Sequence, residues 1–217
     1  MPGLPPLSAA YARKERQALC ETARSVGPHA PTLCEGWDTK DLVCHLLVRE
    51  SSLTGAAGIT ISALSGRTGK EMARLRTQPF ERLVERLRTN RLSFYALPPV
   101  DAAFNTVEFF VHHEDIRRAK PGWRRRNLPA PAVDALWQGL RASGAGLVRS
   151  AGVPVVARRI DNDKTTTLMP GRGPVEISGP VSELVFYLHG RDEVREVAFD
   201  GAEEKVAKLR RAGLGSF

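Results

Sequence analysis

The sequence predicts an α+β protein in two parts, an up-down four-helix bundle over residues 1–126 and a smaller α+β domain over residues 127–217. Three observations support this division. Apolar residues recur at helical spacing through the first half, and proline-containing breaks separate these stretches. After Gly152 the pattern changes to short runs rich in β-branched residues.

The first two helices are predicted from apolar spacing and from a capping pattern. Residues from about 8 to 26 carry apolar side chains at helical intervals. Asp38 is a good N-cap for the second helix, and Trp37 and Leu42 occupy the positions of a hydrophobic staple. We expect the second helix to run to about Ala57.

Two further helices complete the predicted bundle. A looser stretch rich in glycine and serine spans residues 55–69. The third helix is expected to begin near Pro79, a residue favoured in the first turn, and to end at Pro98. The fourth is expected over about residues 102–119, where Pro121 stops it.

The second half of the sequence is predicted to form one helix, a set of strands and a second helix. The expected helix over residues 130–150 precedes two strands at 153–160 and 165–168, joined by a polar turn. The remaining expected elements are a strand at 175–177, a helix at 181–189 that Gly190 stops, and a last strand at 194–199.

Composition is that of an ordinary globular chain, with 42% hydrophobic and 26% charged residues among 217. No apolar run approaches the ~18 residues of a membrane span, and no signal-peptide pattern is present, so we expect a cytoplasmic protein without membrane contact. The three cysteines form no C-x-x-C pair, which argues against a disulfide framework and favours small buried thiols.

The chain is basic, with a formal net charge of +8. Part of that charge is concentrated in one short segment, which could contact phosphates, attract an anionic small molecule, or be a solvated loop. Nucleic-acid binding is the least favoured of these readings, because no zinc-finger spacing or RNA-binding signature accompanies the segment. Its basic residues are Arg117, Arg118, Lys120, Arg124, Arg125 and Arg126.

The fourth predicted helix carries ionisable side chains on an apolar face. Glu108 and His112 are four residues apart and point the same way, and Asp115 falls on the same stripe. Phe104 and Val111 flank that stripe, so it should face the core. Because unpaired buried charge is costly, a metal ion is one explanation for this arrangement.

A third candidate ligand, His45, lies on an apolar face of the second helix. The set His45, Glu108 and His112 predicts a three-ligand site with an open position, in the manner of a catalytic zinc site. Zinc is the first choice, with nickel, iron or manganese as alternatives. The plainer alternatives are a surface Glu–His pair and a core histidine.

The sequence leaves open the roles of two neighbouring polar residues, Asp115 and Arg49. Asp115 could orient a ligand histidine, or could pair with Arg118 or Arg49. Arg49 could bind a substrate carboxylate, although a salt bridge to Asp115 or Glu108 is the plainer account. His113 turns about 100° from His112 and should not replace it.

Three segments carry a resemblance to a known family. Residues 36–46, Gly-Trp-Asp-Thr-Lys-Asp-Leu-Val-Cys-His-Leu, resemble the first-ligand motif of the DinB-like bundle proteins. Residues 108–115, Glu-x-x-x-His-His-x-Asp, resemble the second motif of their mycothiol-dependent maleylpyruvate isomerase branch. Residues 177–191 resemble that family's C-terminal domain, a small α+β module related to sterol-carrier folds.

The resemblance implies a DinB-like bundle whose metal ligands map to His45, Glu108 and His112. It implies mycothiol, a low-molecular-weight thiol, as co-substrate, and a reaction that isomerises a small electrophilic substrate or transfers the thiol to it. Arg191, in the family's Gly-Arg position, would then hold cofactor or substrate, with a pair to Glu193 or Asp192 as the alternative. A non-catalytic, stress-related metal-binding protein is the runner-up, and the chain could be a monomer or a homodimer.

Overall fold

The computed structural model describes residues 7–51, 65–89 and 100–215. By its internal packing the chain divides into two units, Met1–Arg124 and Arg125–Phe217. The sequence placed the division after residue 126. Eight helices and a four-stranded sheet are found in the part of the chain that the structure describes, which confirms the α+β class.

The N-terminal unit is helical. Its helices are α1 (Leu7–Val26), α2 (Thr39–Ser51), α3 (Ser65–Arg76), α4 (Phe80–Thr89) and α5 (Val100–Arg118). Helix α1 packs against α4 and α5, whereas α2 packs against α3 and α4. None of the helices described is both long and apolar enough to cross a lipid bilayer.

An apolar core lies inside this unit. Leu19, Leu42, Leu83 and Phe109, from four different helices, are completely buried in it. Burying such a side chain stabilises the fold by roughly 1.5–3 kcal/mol. The polar stripe of α5 therefore lies at the margin of a well-packed core.

The start of α2 matches the predicted capping pattern. The Asp38 carboxylate accepts a hydrogen bond from the Asp41 amide at 2.9 Å, which satisfies one of the free amides of the first turn. Trp37 packs against the core cluster that contains Leu42, as a hydrophobic staple requires.

Helix α3 is a departure from the prediction. Residues 65–69, expected to be irregular, belong to this helix. Among the side chains of this helix that the structure describes, Met72 and Leu75 are buried, and the rest of its twelve residues are mostly polar. The expected ends of the second and third helices, at Ala57 and Pro98, lie outside the described residues.

The C-terminal unit contains three helices and a sheet. Helix α6 (Ala130–Leu147) leads through a 3-10 turn, Arg149–Ala151, into the sheet. The strands β1 (Val155–Arg159), β2 (Thr165–Met169), β3 (Val175–Gly179) and β4 (Ala198–Asp200) lie in the order β2-β1-β3-β4. Only the β1–β3 pair is parallel.

Two helices flank β4 in sequence. Helix α7 (Val181–Leu188) follows β3, and every one of its residues is buried. The last strand is shorter than expected, because residues 194–197 do not belong to the sheet. Helix α8 (Glu203–Arg211) was not predicted, because Leu209 is its only fully buried side chain and no apolar stripe marks it.

Gly190, after α7, supports a specific stability prediction. Its φ is +80°, and a Cβ there would lie 2.5 Å from the Leu214 carbonyl oxygen. Gly190→Ala therefore adds a steric clash to the cost of a left-handed alanine, and should lower the free energy of unfolding by about 2 kcal/mol or more in urea denaturation. Gly152→Ala is the matched control, because its φ is +58° but its nearest neighbour is the end of Lys208 at 3.7 Å. Equal losses in both variants would contradict the clash.

Candidate metal centre

Three donor atoms from two helices converge beside the core of the N-terminal unit. Nε2 of His45, on α2, lies 3.5 Å from Oε1 of Glu108, on α5. Nε2 of His112, one turn further along α5, lies 3.2 Å from the same oxygen. The two imidazole rings meet edge to face, with centroids 5.1 Å apart. The structure thus brings together the three residues that the sequence singled out.

The donor set suits a borderline divalent ion. In a tetrahedral site with bonds near 2.1 Å, neighbouring donor atoms lie roughly 3.4 Å apart. The distances of 3.2 and 3.5 Å from Glu108 to the two histidines match that edge. Two imidazoles and one carboxylate would leave a further position for another ligand, and they favour zinc among the common metals.

Electrostatics of the cluster follow from burial and pairing. Burial lowers the pKa of His45, which keeps this imidazole neutral, the form in which histidine binds metal ions. Burial alone would raise the pKa of Glu108, but the Arg49 charge and hydrogen bonds from both histidines hold it well below its usual range. The Glu108 carboxylate is therefore ionised at neutral pH.

His112 differs from His45 because it has a second carboxylate behind it. Burial opposes its charged form, but hydrogen bonds with Asp115, Cys34 and Glu108 raise its pKa well above the usual value. Nδ1 of His112 lies 2.9 Å from Oδ2 of Asp115. Because an ionised carboxylate only accepts, the imidazole donates through Nδ1 and turns Nε2 toward Glu108.

Arg49 lies beside the same cluster and is almost buried. Its Nε is 3.3 Å from Oε1 of Glu108, and its Nη1 donates to the Asn105 side chain at 3.0 Å. Of the two sequence alternatives for Arg49, the structure thus shows the salt bridge to Glu108. Asp115 contacts His112, whereas Arg118 pairs with Glu114 at 2.6 Å.

Cys34 was missed as a member of this site. The sequence suggested that all three thiols are small buried groups, and Cys20 and Cys44 are indeed completely buried. Cys34 is only partly buried, and its Sγ donates to Oδ2 of Asp115 at 3.1 Å. Its Sγ also lies 3.8 Å from Nδ1 of His112. Cys34, His112 and Asp115 form a second group of possible ligand atoms next to the first.

The other histidines point elsewhere. His113 is buried on another side of α5, where Nδ1 lies 2.7 Å from Oε1 of Glu15 and Nε2 lies 2.9 Å from the Thr22 hydroxyl. His29 is 85% exposed, as expected for a loop residue. His189, at the end of α7, is half-buried.

The basic segment 117–126 is partly neutralised by its own contacts. Arg117 and Arg118 both donate to the buried Glu114 carboxylate, and the Arg118 guanidinium stacks 4.4 Å from the Trp123 ring centroid. Arg125 lies 3.4 Å from Glu196. The segment therefore presents less free charge than its sequence suggested.

Arg191 lies in the C-terminal unit, directly after the Gly190 turn. Its Nη1 donates to the His189 carbonyl oxygen, and the residue is half-buried. Within that unit the guanidinium is thus partly engaged by the end of α7.

Thiol reactivity offers a direct check on the three cysteines. Burial raises the pKa of Cys20 to about 12 and that of Cys44 to about 11, so at pH 8 the reactive thiolate is at most about one part in a thousand of either. We expect iodoacetamide to add to one thiol per folded chain, at Cys34, as read by peptide mass mapping. Cys34→Ser should then remain unmodified until denaturant is added. Rapid labelling of Cys20 or Cys44 in the folded protein would contradict this prediction.

Comparisons with known proteins cover the helices that carry the site. Residues 10–117 match the family model of the mycothiol maleylpyruvate isomerase N-terminal domain. The crystal structure of the mycothiol-dependent maleylpyruvate isomerase is similar to this chain, with 17% identity, a TM-score of 0.60, and coverage of 91% of this chain and 93% of that one. A histidine-to-alanine mutant of that isomerase gives 18% identity and the same TM-score and coverage. No curated protein matches the sequence significantly. At these identities the structural likeness shows a shared fold.

Proposed function

This chain belongs to the mycothiol maleylpyruvate isomerase family through its N-terminal domain, and from this we propose that it is a metal-dependent enzyme acting with a low-molecular-weight thiol. The proposed co-substrate is mycothiol, and the proposed substrate is a small electrophile. The reaction class is addition of the thiol to an electrophilic carbon, followed by release of the thiol in an isomerisation or its retention in a transfer. The observation that carries the proposal is the convergence of His45, Glu108 and His112 on one point.

The proposed ligands of the ion are those three residues, with zinc as the first choice. A divalent ion held by these residues would lower the pKa of a thiol bound to it, and so would supply a nucleophile near neutral pH. Asp115 accepts from Nδ1 of His112, so Nε2 of that ring is the atom that would give up its proton and bind the ion.

Two arginines are proposed to handle anionic groups. Arg49 donates to Asn105 and pairs with Glu108, which holds its positive charge at the site where a substrate carboxylate is proposed to bind. Arg191 is proposed to bind a carboxylate of the substrate or a polar group of the thiol through its planar fork. Both roles rest on the family resemblance together with guanidinium chemistry.

Titration with mycothiol tests the proposal. We expect saturable binding by calorimetry that disappears when a chelator removes the ion and returns when zinc is restored. Arg191→Lys should weaken that binding by about 1.5–3 kcal/mol, the range for charge-assisted hydrogen bonds, without changing the metal content. Arg172→Lys is the control, an exposed arginine on the same unit.

The same titration separates the alternatives. Binding of mycothiol without turnover on any of a panel of electrophiles would favour the non-catalytic metal-binding protein. No binding at all by the zinc-loaded protein would contradict the thiol proposal. Neutralisation of Arg117 and Arg118 by Glu114 gives the nucleic-acid alternative little support, and DNA binding that falls with salt would be needed to restore it.

A further inference from the structure

We propose that Cys34 is a positioning residue of the metal centre, which orients His112 by holding the Asp115 carboxylate in place. The inference rests on the metal site of the proposed function but does not depend on the thiol co-substrate. It adds a residue from the α1–α2 loop, residues 27–38, to a site whose other members lie on α2 and α5.

One oxygen atom connects the two side chains. Oδ2 of Asp115 accepts from Nδ1 of His112 at 2.9 Å and from the Cys34 thiol at 3.1 Å. Asp115 is completely buried, so the direction of its carboxylate is set by protein donors and not by bulk water. The thiol fixes this oxygen at the distance that His112 requires.

The backbone of the α1–α2 loop holds Cys34 against α5. The Leu33 amide donates to the Asp115 carbonyl oxygen at 3.1 Å, directly beside the side-chain contact. The Thr32 hydroxyl accepts from the Cys34 amide at 3.2 Å and donates to the Trp37 carbonyl oxygen at 2.9 Å. Cys34 is thus positioned by a local turn. That turn is itself hydrogen-bonded to Asp115, the residue that Cys34 holds in place.

The same loop supports the second ligand histidine. The Trp37 ring lies 4.9 Å from the His45 ring, centroid to centroid. One loop therefore contacts the imidazole of His45 on one side and the Asp115–His112 pair on the other. Groups that fix ligand histidines from behind usually affect metal affinity, with losses of 10–100-fold on their removal.

The proposal predicts an order of effects on zinc affinity, measured by competition with a chromophoric chelator. Asp115→Ala, which removes the acceptor itself, should weaken zinc binding about 100-fold. Cys34→Ala, one bond further away, should weaken it about tenfold. Cys34→Ser keeps a donor of similar size and should stay within about threefold of wild type.

A double-mutant cycle tests whether Cys34 acts through Asp115. If it does, adding Cys34→Ala to Asp115→Ala should weaken zinc binding by no more than about twofold beyond the single Asp115 change. Cys20→Ala is the control for loss of a thiol in the same unit, and its zinc affinity should be unchanged. Additive losses in the double variant would overturn the proposal.

A readout on the metal-free protein separates this proposal from the proposed function. The Nδ1–H proton of His112 should give a downfield NMR signal, protected by its bond to Asp115, in wild type and Cys34→Ser but broadened in Cys34→Ala. An unchanged signal in Cys34→Ala would overturn the positioning role, whether or not the protein binds zinc or mycothiol. A thiolate-to-metal charge-transfer band with cadmium, lost in Cys34→Ser, would also overturn it by making Cys34 a ligand.

Discussion

His112→Ala should abolish stoichiometric metal binding. The wild-type protein, loaded with zinc and passed through a desalting column, is expected to retain about one ion per chain. Removing His112 deletes the ring whose Nε2 lies 3.2 Å from Glu108, and leaves two of the three donor atoms. We expect the zinc affinity to fall by at least about 100-fold, beyond the loss that a supporting residue causes. Elemental analysis and chelator competition measure it.

His29→Ala provides the matched control, because that imidazole is 85% exposed and lies outside the cluster. His45→Ala and Glu108→Gln should repeat the loss seen with His112→Ala. A His112→Ala protein that still held one zinc ion with wild-type affinity would show that the ion is bound elsewhere, and the enzymatic proposal would lose its basis.

His113→Ala should have a different effect, a large loss of stability. His113 and Glu15 are both almost completely buried and lie 2.7 Å apart, linking α5 to α1. Alanine would leave the Glu15 carboxylate in the interior without this partner. Breaking such a buried pair from one side costs about 2–4 kcal/mol. Urea denaturation of the metal-free protein should show that decrease in the free energy of unfolding.

A second substitution identifies the cause of that loss. If the cost comes from the carboxylate left behind, adding Glu15→Gln to His113→Ala should recover part of the stability, since a neutral amide is less costly to bury. The folded fraction of His113→Ala should still bind zinc. A variant as stable as wild type would mean that the His113–Glu15 contact contributes little.

Much of the site could be predicted from the sequence because it depends on helix periodicity. Glu108, His112 and Asp115 lie on one face of α5 through spacings of four and three residues. His45 was found by the same periodicity on α2. The capping side chain of Asp38 indicated where that helix begins. These relations are local, so one stretch of sequence contains all the information they need.

Contacts between distant parts of the sequence could not be found this way. Cys34 reaches Asp115 across a separation of 81 residues, and His113 reaches Glu15 across 98. Neither contact leaves a periodic signal in the sequence, since each depends on how a loop or a helix packs on α5. Helices α3 and α8 were missed for a related reason, because their sequences are mostly polar and show no apolar stripe.

The α1–α2 loop couples occupancy of the metal site to its own local opening. Opening this loop would withdraw the Leu33 amide and the Cys34 thiol from Asp115, so a state that holds an ion through a correctly turned His112 favours the closed loop. By mass action, an ion at a hundred times its Kd can raise the free energy of opening the loop by up to about 2.7 kcal/mol. Hydrogen exchange at the Leu33 amide would then slow by as much as about a hundredfold, and this one backbone proton would report the occupancy of a centre it never touches.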